Sequence, residues 1–354
     1  MQSFCFVVTF VEDGKAVQTV ADVFMKKKSS EILKYVASAV IAGVMLYFSF
    51  RGVEWGDFVG GLRTCRWGYI LVSMLLGVAA FWLRGLRWRQ LILPLDSSLT
   101  RVVAFDAVNI GYLANFVFPR IGEFVRCGVI SRNAKGASYE KVLGTVVLER
   151  AWDMASMLIL LVVLLSARWE RFGDFFVNQI WTPAAARVDF SLWWILGALC
   201  LIALLAGWII WHFRKTSSFC SKVWSVFYGL FQGFATCASM KRKWLFFLHT
   251  ALIWTVYWLM AYFTMRAVPE LDSLGLVDAL FLSLAGSVGW IVPVPGGIGA
   301  FHFVVSLALS TIYGLQFSQG IVFATLSHES QAVTMLLFGA LSFAAETFRK
   351  KRIS

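Results

Sequence analysis

Six apolar stretches, at residues 32–50, 68–83, 142–167, 190–213, 244–265 and 321–348, constrain this chain more than any motif in it. Each is close to or beyond the roughly 17 to 25 residues that a helix needs to cross a hydrocarbon core of about 30 Å. No water reaches the backbone inside that core, so a crossing segment satisfies its amides only as a helix or within a closed barrel. Uninterrupted apolar runs of this length read as helices. Hydrophobic residues make up 59% of the chain and charged residues only 15%, which removes the soluble classes. The expected fold is an all-α polytopic membrane protein.

Two further stretches, 102–127 and 277–315, are apolar but broken by Gly, Pro, Asn or charge. Either can form a pair of short helices that enters and leaves the membrane on one side. The Lys and Arg count tests this, because cytoplasmic loops collect positive charge while acidic residues carry little orienting weight. If both stretches are re-entrant, one side holds 23 basic residues, including the clusters Lys26-Lys27-Lys28, Lys241-Arg242-Lys243 and Arg349-Lys350-Lys351-Arg352. The other side then holds 7: Arg51, Arg63, Arg66, Arg168, Arg171, Arg187 and Arg266. If only one stretch were re-entrant, the basic C-terminus would lie outside. The expectation is therefore about six full crossings plus two re-entrant helical hairpins, with both termini cytoplasmic.

The resulting order is crossing, crossing, hairpin, crossing, twice over, with the second copy inverted, as in many transporters. The two halves are about 32–167 and 190–348, within a transmembrane domain at 32–349 followed by a basic tail at 350–354. The breaks are loosely alike, Phe118-Pro-Arg-Ile-Gly-Glu-Phe124 in the first half and Val294-Pro-Gly-Gly-Ile-Gly-Ala-Phe301 in the second.

Residues 1–31 read as an N-terminal extension. Its first part carries Glu12, Asp13 and Asp22 and lacks the basic start and cleavage pattern of a signal peptide. Met25-Lys-Lys-Lys-Ser-Ser-Glu31 resembles a natural start before a membrane helix. Translation is expected to begin at Met25, so N-terminal sequencing should recover nothing upstream of it.

The net charge of +12, in a chain this apolar, fits anionic lipid better than nucleic acid, for which no module is present. Six cysteines show no CxxC spacing, and the four histidines, His212, His249, His302 and His328, lie far apart without an HExxH pattern. The chain does not read as a metalloenzyme, and no cofactor is expected.

Charges inside apolar stretches are more informative, because each costs about 2.5 to 3.5 kcal/mol at a helix centre and so must be paired or wet. Glu149, Arg150 and Asp153 form one polar helical stripe, with spacings of i, i+3 and i, i+4. This stripe either lines a substrate path or staples the helix to a neighbour. The first broken stretch offers Asp106, Asn109, Tyr112 and Asn115, then Pro119, Arg120, Gly122, Glu123 and Arg126. Pro119 and Gly122 break a helix where freed amides are tolerated only beside protein or water, which implies a cavity. Arg120 and Arg126 suit a lipid phosphate through bidentate hydrogen bonds, and Glu123 suits an arginine between substrates. The alternative is a cytoplasmic loop whose arginines follow charge asymmetry alone.

The second broken stretch carries Pro293, Pro295, Gly296, Gly297 and Gly299, ahead of an apolar helix with His302 in its first turn. A helix N-terminus there would be an anion site through its dipole and free amides, whereas the plainer reading is a turn between helices. Ser327, His328 and Glu329 form a polar notch in the last crossing, where His328 reads as a core histidine rather than a proton carrier. Many of the sixteen tryptophans fall near helix ends, as interfacial belts require. Arg84, Arg87, Trp88 and Arg89 read as a collar snorkelling into anionic headgroups.

Asn115-Phe-Val-Phe-Pro119-Arg-Ile-Gly122-Glu123-Phe-Val-Arg126, then Glu149-Arg150 with Asp153, then Pro293-Val-Pro-Gly-Gly-Ile-Gly299 resemble, in order and spacing, the lysylphosphatidylglycerol synthase transmembrane-domain family. The likeness covers roughly residues 34–349. It implies a stand-alone relative of the flippase half of aminoacyl-phosphatidylglycerol synthases, in a bacterial inner (plasma) membrane. A soluble aminoacyl-transfer domain is not expected, since the chain ends at Ser354, and synthase activity is not implied. The family commonly places a carboxylate soon after the Pro-Gly-Gly segment, where this sequence has Phe301 and His302.

The reading that follows is a lipid flippase for a phospholipid or polyprenyl-phosphate-linked lipid with an anionic or zwitterionic headgroup. Asn115, Pro119, Arg120, Glu123, Arg126, Glu149, Arg150, Asp153, Pro295, Gly296, Gly297, Gly299 and His302 are its candidate substrate-binding residues. It leaves room for a lipid-synthesis partner enzyme. The alternative is a membrane enzyme, or a subunit of one, in phospholipid or polyprenyl-phosphate glycolipid synthesis. The longest loops, at about 20 to 30 residues, are short for the donor-nucleotide domain that this needs.

Overall fold

A computed structural model describes residues 53–117, 120–134, 136–182, 207–214, 216–290, 294 and 297–351, with isolated positions at 40, 43, 44, 46, 47, 50, 51, 197, 201 and 205. Every regular element among the described residues is helical, as the apolar runs require. In chain order these are α1 Trp55–Thr64, α2 Trp67–Ile92, α3 Arg101–Val117, α4 Gly122–Asn133, α5 Tyr139–Ala167 and α6 Trp169–Phe175, which runs into a π-helical turn. They are followed by α7 Ser218–Ser239, α8 Lys243–Ala267, α9 Leu276–Gly289, α10 Ala300–Tyr313 and α11 Phe317–Lys351.

Three of these, Trp67–Ile92, Lys243–Ala267 and Phe317–Arg349, are long and apolar enough to cross a membrane. They cover the expected crossings at 68–83, 244–265 and 321–348. The stretch at 142–167 forms the 29-residue α5, whose first half holds Glu149, Arg150 and Asp153. The expected crossings at 32–50 and 190–213 fall largely outside the described residues. Both broken stretches resolve into pairs of short helices, α3 with α4 and α9 with α10. At 1.5 Å per residue, the 14 residues of α9 or of α10 reach only about 21 Å.

The chain divides into two compact units, Met1–Tyr139 with Met240–Ser354, and Glu140–Ser239. In the first, α2 and α8 pack antiparallel, and each contact further along one lies further back along the other. Near the start of α2, Ser73 Oγ donates to the Met260 carbonyl (3.2 Å) and accepts from Thr264 Oγ1 (3.1 Å). Further on, Arg84 donates to Tyr257 Oη (3.3 Å), Arg87 to Thr250 Oγ1 (3.4 Å), and Gln90 Nε2 meets His249 Nδ1 (3.0 Å). At the other end Arg66 forms a two-pronged pair with Asp272 (2.9 and 2.5 Å) and donates its amide to the Ala267 carbonyl. This pair holds the Asp272 carboxyl below the ordinary carboxylate range.

Helix α3 packs on α2 where Gly85 lets the Phe105 backbone approach; a Cβ at Gly85 would sit 3.0 Å from the Phe105 Cα. Helix α11 packs against α3, α10 and α2. The α9–α10 pair is closed at one end by the buried Asp278, which accepts from the Gly275 amide (2.7 Å) and from Tyr313 Oη (2.9 Å).

The collar expected at Arg84 to Arg89 is corrected. Arg84, Arg87 and Trp88 are buried within the helical bundle, because α2 continues unbroken to Ile92 and carries them against α8 and α3. The helix stops just before Pro94, which cannot donate a backbone hydrogen bond.

The second unit is built on α5 and α7. Gly229 of α7 lies so close to Glu140 that a Cβ there would meet the Glu140 Cβ at 2.8 Å. Arg214 lies between the Trp211 and Trp224 rings, at 4.8 and 5.0 Å.

Candidate functional site

The break between α3 and α4 organises the first group of polar side chains. Asn115, in the last turn of α3, reaches across the break and accepts from the Gly122 amide at 2.7 Å, which satisfies one of the otherwise unpaired N–H groups at the start of α4. Arg120 turns the chain with a left-handed backbone, φ 62°, and its side chain is exposed. The two helices then close tightly: a Cβ on Gly111 would sit 3.0 Å from the Gly122 carbonyl oxygen, and one on Gly122 would overlap the Gly111 carbonyl.

Glu123 stands half-buried in the first turn of α4, where a carboxylate complements the helix dipole. One turn later Arg126 is only 4% exposed, and its guanidinium lies 4.4 Å above the ring of the fully buried Trp88. An arginine over an indole in a desolvated setting gains about 2 kcal/mol and keeps its in-plane donors for a partner at the edge. Arg84 and Arg87, on the same turn of α2 as Trp88, are buried as well, so one bundle holds three guanidinium groups.

Asp106 and Asn109 are buried on α3. Asp106 pairs with Arg349 near the end of α11, and Glu346, one turn earlier, accepts from Arg132 and Asn133 of α4 at 2.9 Å each. These acids therefore tie the last helix to the first short pair. Tyr112 packs its ring on Phe81 at 5.1 Å.

The second group forms where α9 gives way to α10. Gly297 (φ 76°) and Gly299 (φ 84°) take backbone angles that other residues adopt only with strain. A Cβ on Gly289 would meet the Phe301 Cα at 2.7 Å, so the pair closes as tightly as α3 and α4 do. His302, in the first turn of α10, is 2% exposed. Helix α11 brings His328 beside it, with ring centroids 5.0 Å apart. Trp290 stacks on His328 at 5.2 Å. Glu329 Oε1 lies 2.9 Å from His328 Nδ1 and 4.0 Å from His302 Nε2. One ligand atom from each of these three residues lies within 4.8 Å of the others.

In the second unit Glu149 is fully buried on α5, and Arg150 pairs with Asp153 at 3.6 Å, as their i, i+3 spacing predicts. Among the remaining candidates, Pro119, Pro295 and Gly296 lie outside the described residues. Sequence spacing missed the meeting of His302 with His328 and Glu329, since they stand on different helices. It also missed the burial of Arg84 and Arg87, for which Pro94 was the available signal.

Long apolar helices, short helical pairs and charge buried at their breaks define an integral membrane protein of the all-helical class. The chain belongs to the family described as the lysylphosphatidylglycerol synthase TM region, whose model matches residues 35–339. No curated protein and no solved structure matches it. Membership makes it a membrane-associated, lipid-related protein and bears out the resemblance carried by the Asn115 to Arg126, Glu149 to Asp153 and Pro293 to Gly299 segments.

Proposed function

We propose that the protein is a lipid flippase, not an enzyme. It moves a phospholipid or polyprenyl-phosphate-linked lipid with an anionic or zwitterionic headgroup across a bacterial inner membrane. The observation that carries this reading is Arg126, a cation 4% exposed beside a helix break in an apolar bundle, stacked on a buried tryptophan. Such a charge is costly among membrane helices and characteristically marks a substrate path. A guanidinium suits a phosphate through two parallel hydrogen bonds. Arg120 receives the headgroup at the exposed turn, Glu123 balances the arginines between substrates, and Asn115 holds the break in shape. Gly297, Gly299 and His302 present the second break, and Glu149, Arg150 and Asp153 act within the second unit. The acyl chains stay in lipid.

In this reading the short pairs α3–α4 and α9–α10 are re-entrant. The lengths of α9 and α10 support it, since neither reaches across a core of about 30 Å. The inverted repeat is supported by order and direction: α2 precedes one short pair and α8 precedes the other, and α2 and α8 run antiparallel. Both termini are then cytoplasmic.

The test is transbilayer movement of labelled phospholipid in proteoliposomes, with native mass spectrometry of retained lipid. Arg126→Ala should slow movement at least about tenfold and release the retained lipid, since a hydrogen bond to a charged group contributes about 1.5 to 3 kcal/mol. A folded Arg126→Ala protein that moves lipid at the parental rate would defeat the proposal.

A further inference from the structure

We propose that His302, His328 and Glu329 form a binding site for one divalent transition-metal ion of the zinc type. The donor set is two imidazoles and one carboxylate, three protein ligands that leave further coordination positions open, as in zinc sites that also bind water or substrate. The geometry is close to what such an ion requires. Ligand atoms about 2.0 to 2.1 Å from a tetrahedral ion stand about 3.3 Å from one another. Glu329 Oε1 lies 2.9 Å from His328 Nδ1 and 4.0 Å from His302 Nε2, so against that spacing the first pair is about 0.4 Å too close and the second about 0.7 Å too far, and an ion would draw His302 inward.

The three residues come from two helices whose positions are fixed by packing. Trp290 stacks on His328 with planes 21° apart, and Phe301 sits 5.6 Å from the same ring, which together hold it in place. His302 is 2% exposed, and its Nδ1 is buried without a hydrogen-bond partner among the described residues. Nε2 is the atom that faces Glu329, at 4.0 Å, and an imidazole protonated on Nδ1 presents a lone pair there. Ser306, one turn further along α10, has a buried hydroxyl that also lacks a partner among the described residues, so polar groups continue beyond the three ligands. The Glu329 side chain is 53% exposed.

The site goes beyond lipid movement and stands whether or not Arg126 binds a headgroup. It also departs from the spacing of the histidines, which by itself places no two on one helix face.

The experiment uses the full chain in lipid nanodiscs, freed of metal by chelator and titrated with Zn2+ alone, with bound metal measured by elemental analysis. One ion per chain is expected. His302→Ala and His328→Ala should each weaken binding roughly a hundredfold or more, since each removes one of three protein ligands, and Glu329→Gln should weaken it less. X-ray absorption of the zinc-loaded parent, which needs no variant to fold, should show two imidazole nitrogens and no sulfur. Absence of stoichiometric uptake, uptake unchanged in both histidine variants, or sulfur in the shell would each overturn the proposal. In the first case the cluster is a hydrogen-bonded triad without metal.

Discussion

The Arg126 guanidinium lies 4.4 Å above the Trp88 ring, joining the first turns of α4 to the last third of α2. A planar guanidinium can lie flat on an indole while its edge donors point elsewhere. Arg126→Lys keeps the charge but loses the flat stacking and the two-pronged edge. It should therefore lower lipid retention nearly as far as Arg126→Ala does, whereas Trp88→Phe should give an intermediate loss. Native mass spectrometry of the three proteins orders them; a lysine variant indistinguishable from the parent would mean that charge alone matters.

Gly122 and Gly128 stand on the same short helix with opposite surroundings. A Cβ at Gly122 overlaps the Gly111 carbonyl and comes 2.7 Å from Asn115 Oδ1, while a Cβ at Gly128 meets nothing within 4 Å. Gly122→Ala should destabilise by about 1 to 3 kcal/mol through overpacking and should disturb the Asn115 contact across the break. Gly128→Ala should be neutral or stabilising by up to about 1 kcal/mol, as alanine is the better helix former. Unfolding in detergent, followed by tryptophan fluorescence, separates the two; similar losses in both would place the strain elsewhere.

Much of this architecture was legible because it is local. A run such as Trp244 to Met265 must become a helix wherever lipid surrounds it, and α8 covers it with few residues to spare. The breaks at Gly122 and around Gly297 follow from residues that cannot continue a helix or that favour its ends. Arg84 and Arg87 were misread because an arginine beyond an apolar run snorkels only if the helix stops, and α2 stops nine residues after Leu83. The His302–His328–Glu329 cluster was illegible for another reason. It depends on which face of α11 meets α10, and that register is set by packing, such as Gly320 of α11 against Ser306 of α10.

Glu346 accepts from Arg132 and Asn133 while Arg349 pairs with Asp106, so α11 is fastened to α3 and α4 by a buried polar network. Removing one partner of a buried pair leaves the other charge uncompensated, at a cost of about 3 to 5 kcal/mol. Glu346→Ala should approach that figure. Arg132→Ala alone should cost less, since the Arg132 side chain is 24% exposed and can turn to solvent. In the double variant the losses should fall short of additive by about 1 kcal/mol or more. A fully additive cycle would show that the two side chains do not act on each other.

Two carboxylates outside the membrane-crossing helices contribute to the acid response. Asp96 accepts from the Ser98 hydroxyl (2.6 Å), the Gly136 amide (2.9 Å) and the Ser98 amide (2.8 Å), bonds that hold its carboxyl below the ordinary range. Asp272 is held low by its hydrogen bonds from Arg66. A carboxyl whose folded value is depressed contributes stability that is fully present above the ordinary carboxylate value of about 3.9 and is lost as pH falls through the folded value. The parent's thermal midpoint should therefore change little between about pH 7 and 5 from these groups and drop below about pH 4. Asp96→Asn and Asp272→Asn should start lower at neutral pH and lose less over the acid range, because neither has a depressed carboxyl left to protonate. The effect is modest, as both groups are close to solvent and screened by it. Midpoints that fall in parallel with the parent's across the acid range would show that other carboxylates carry the response.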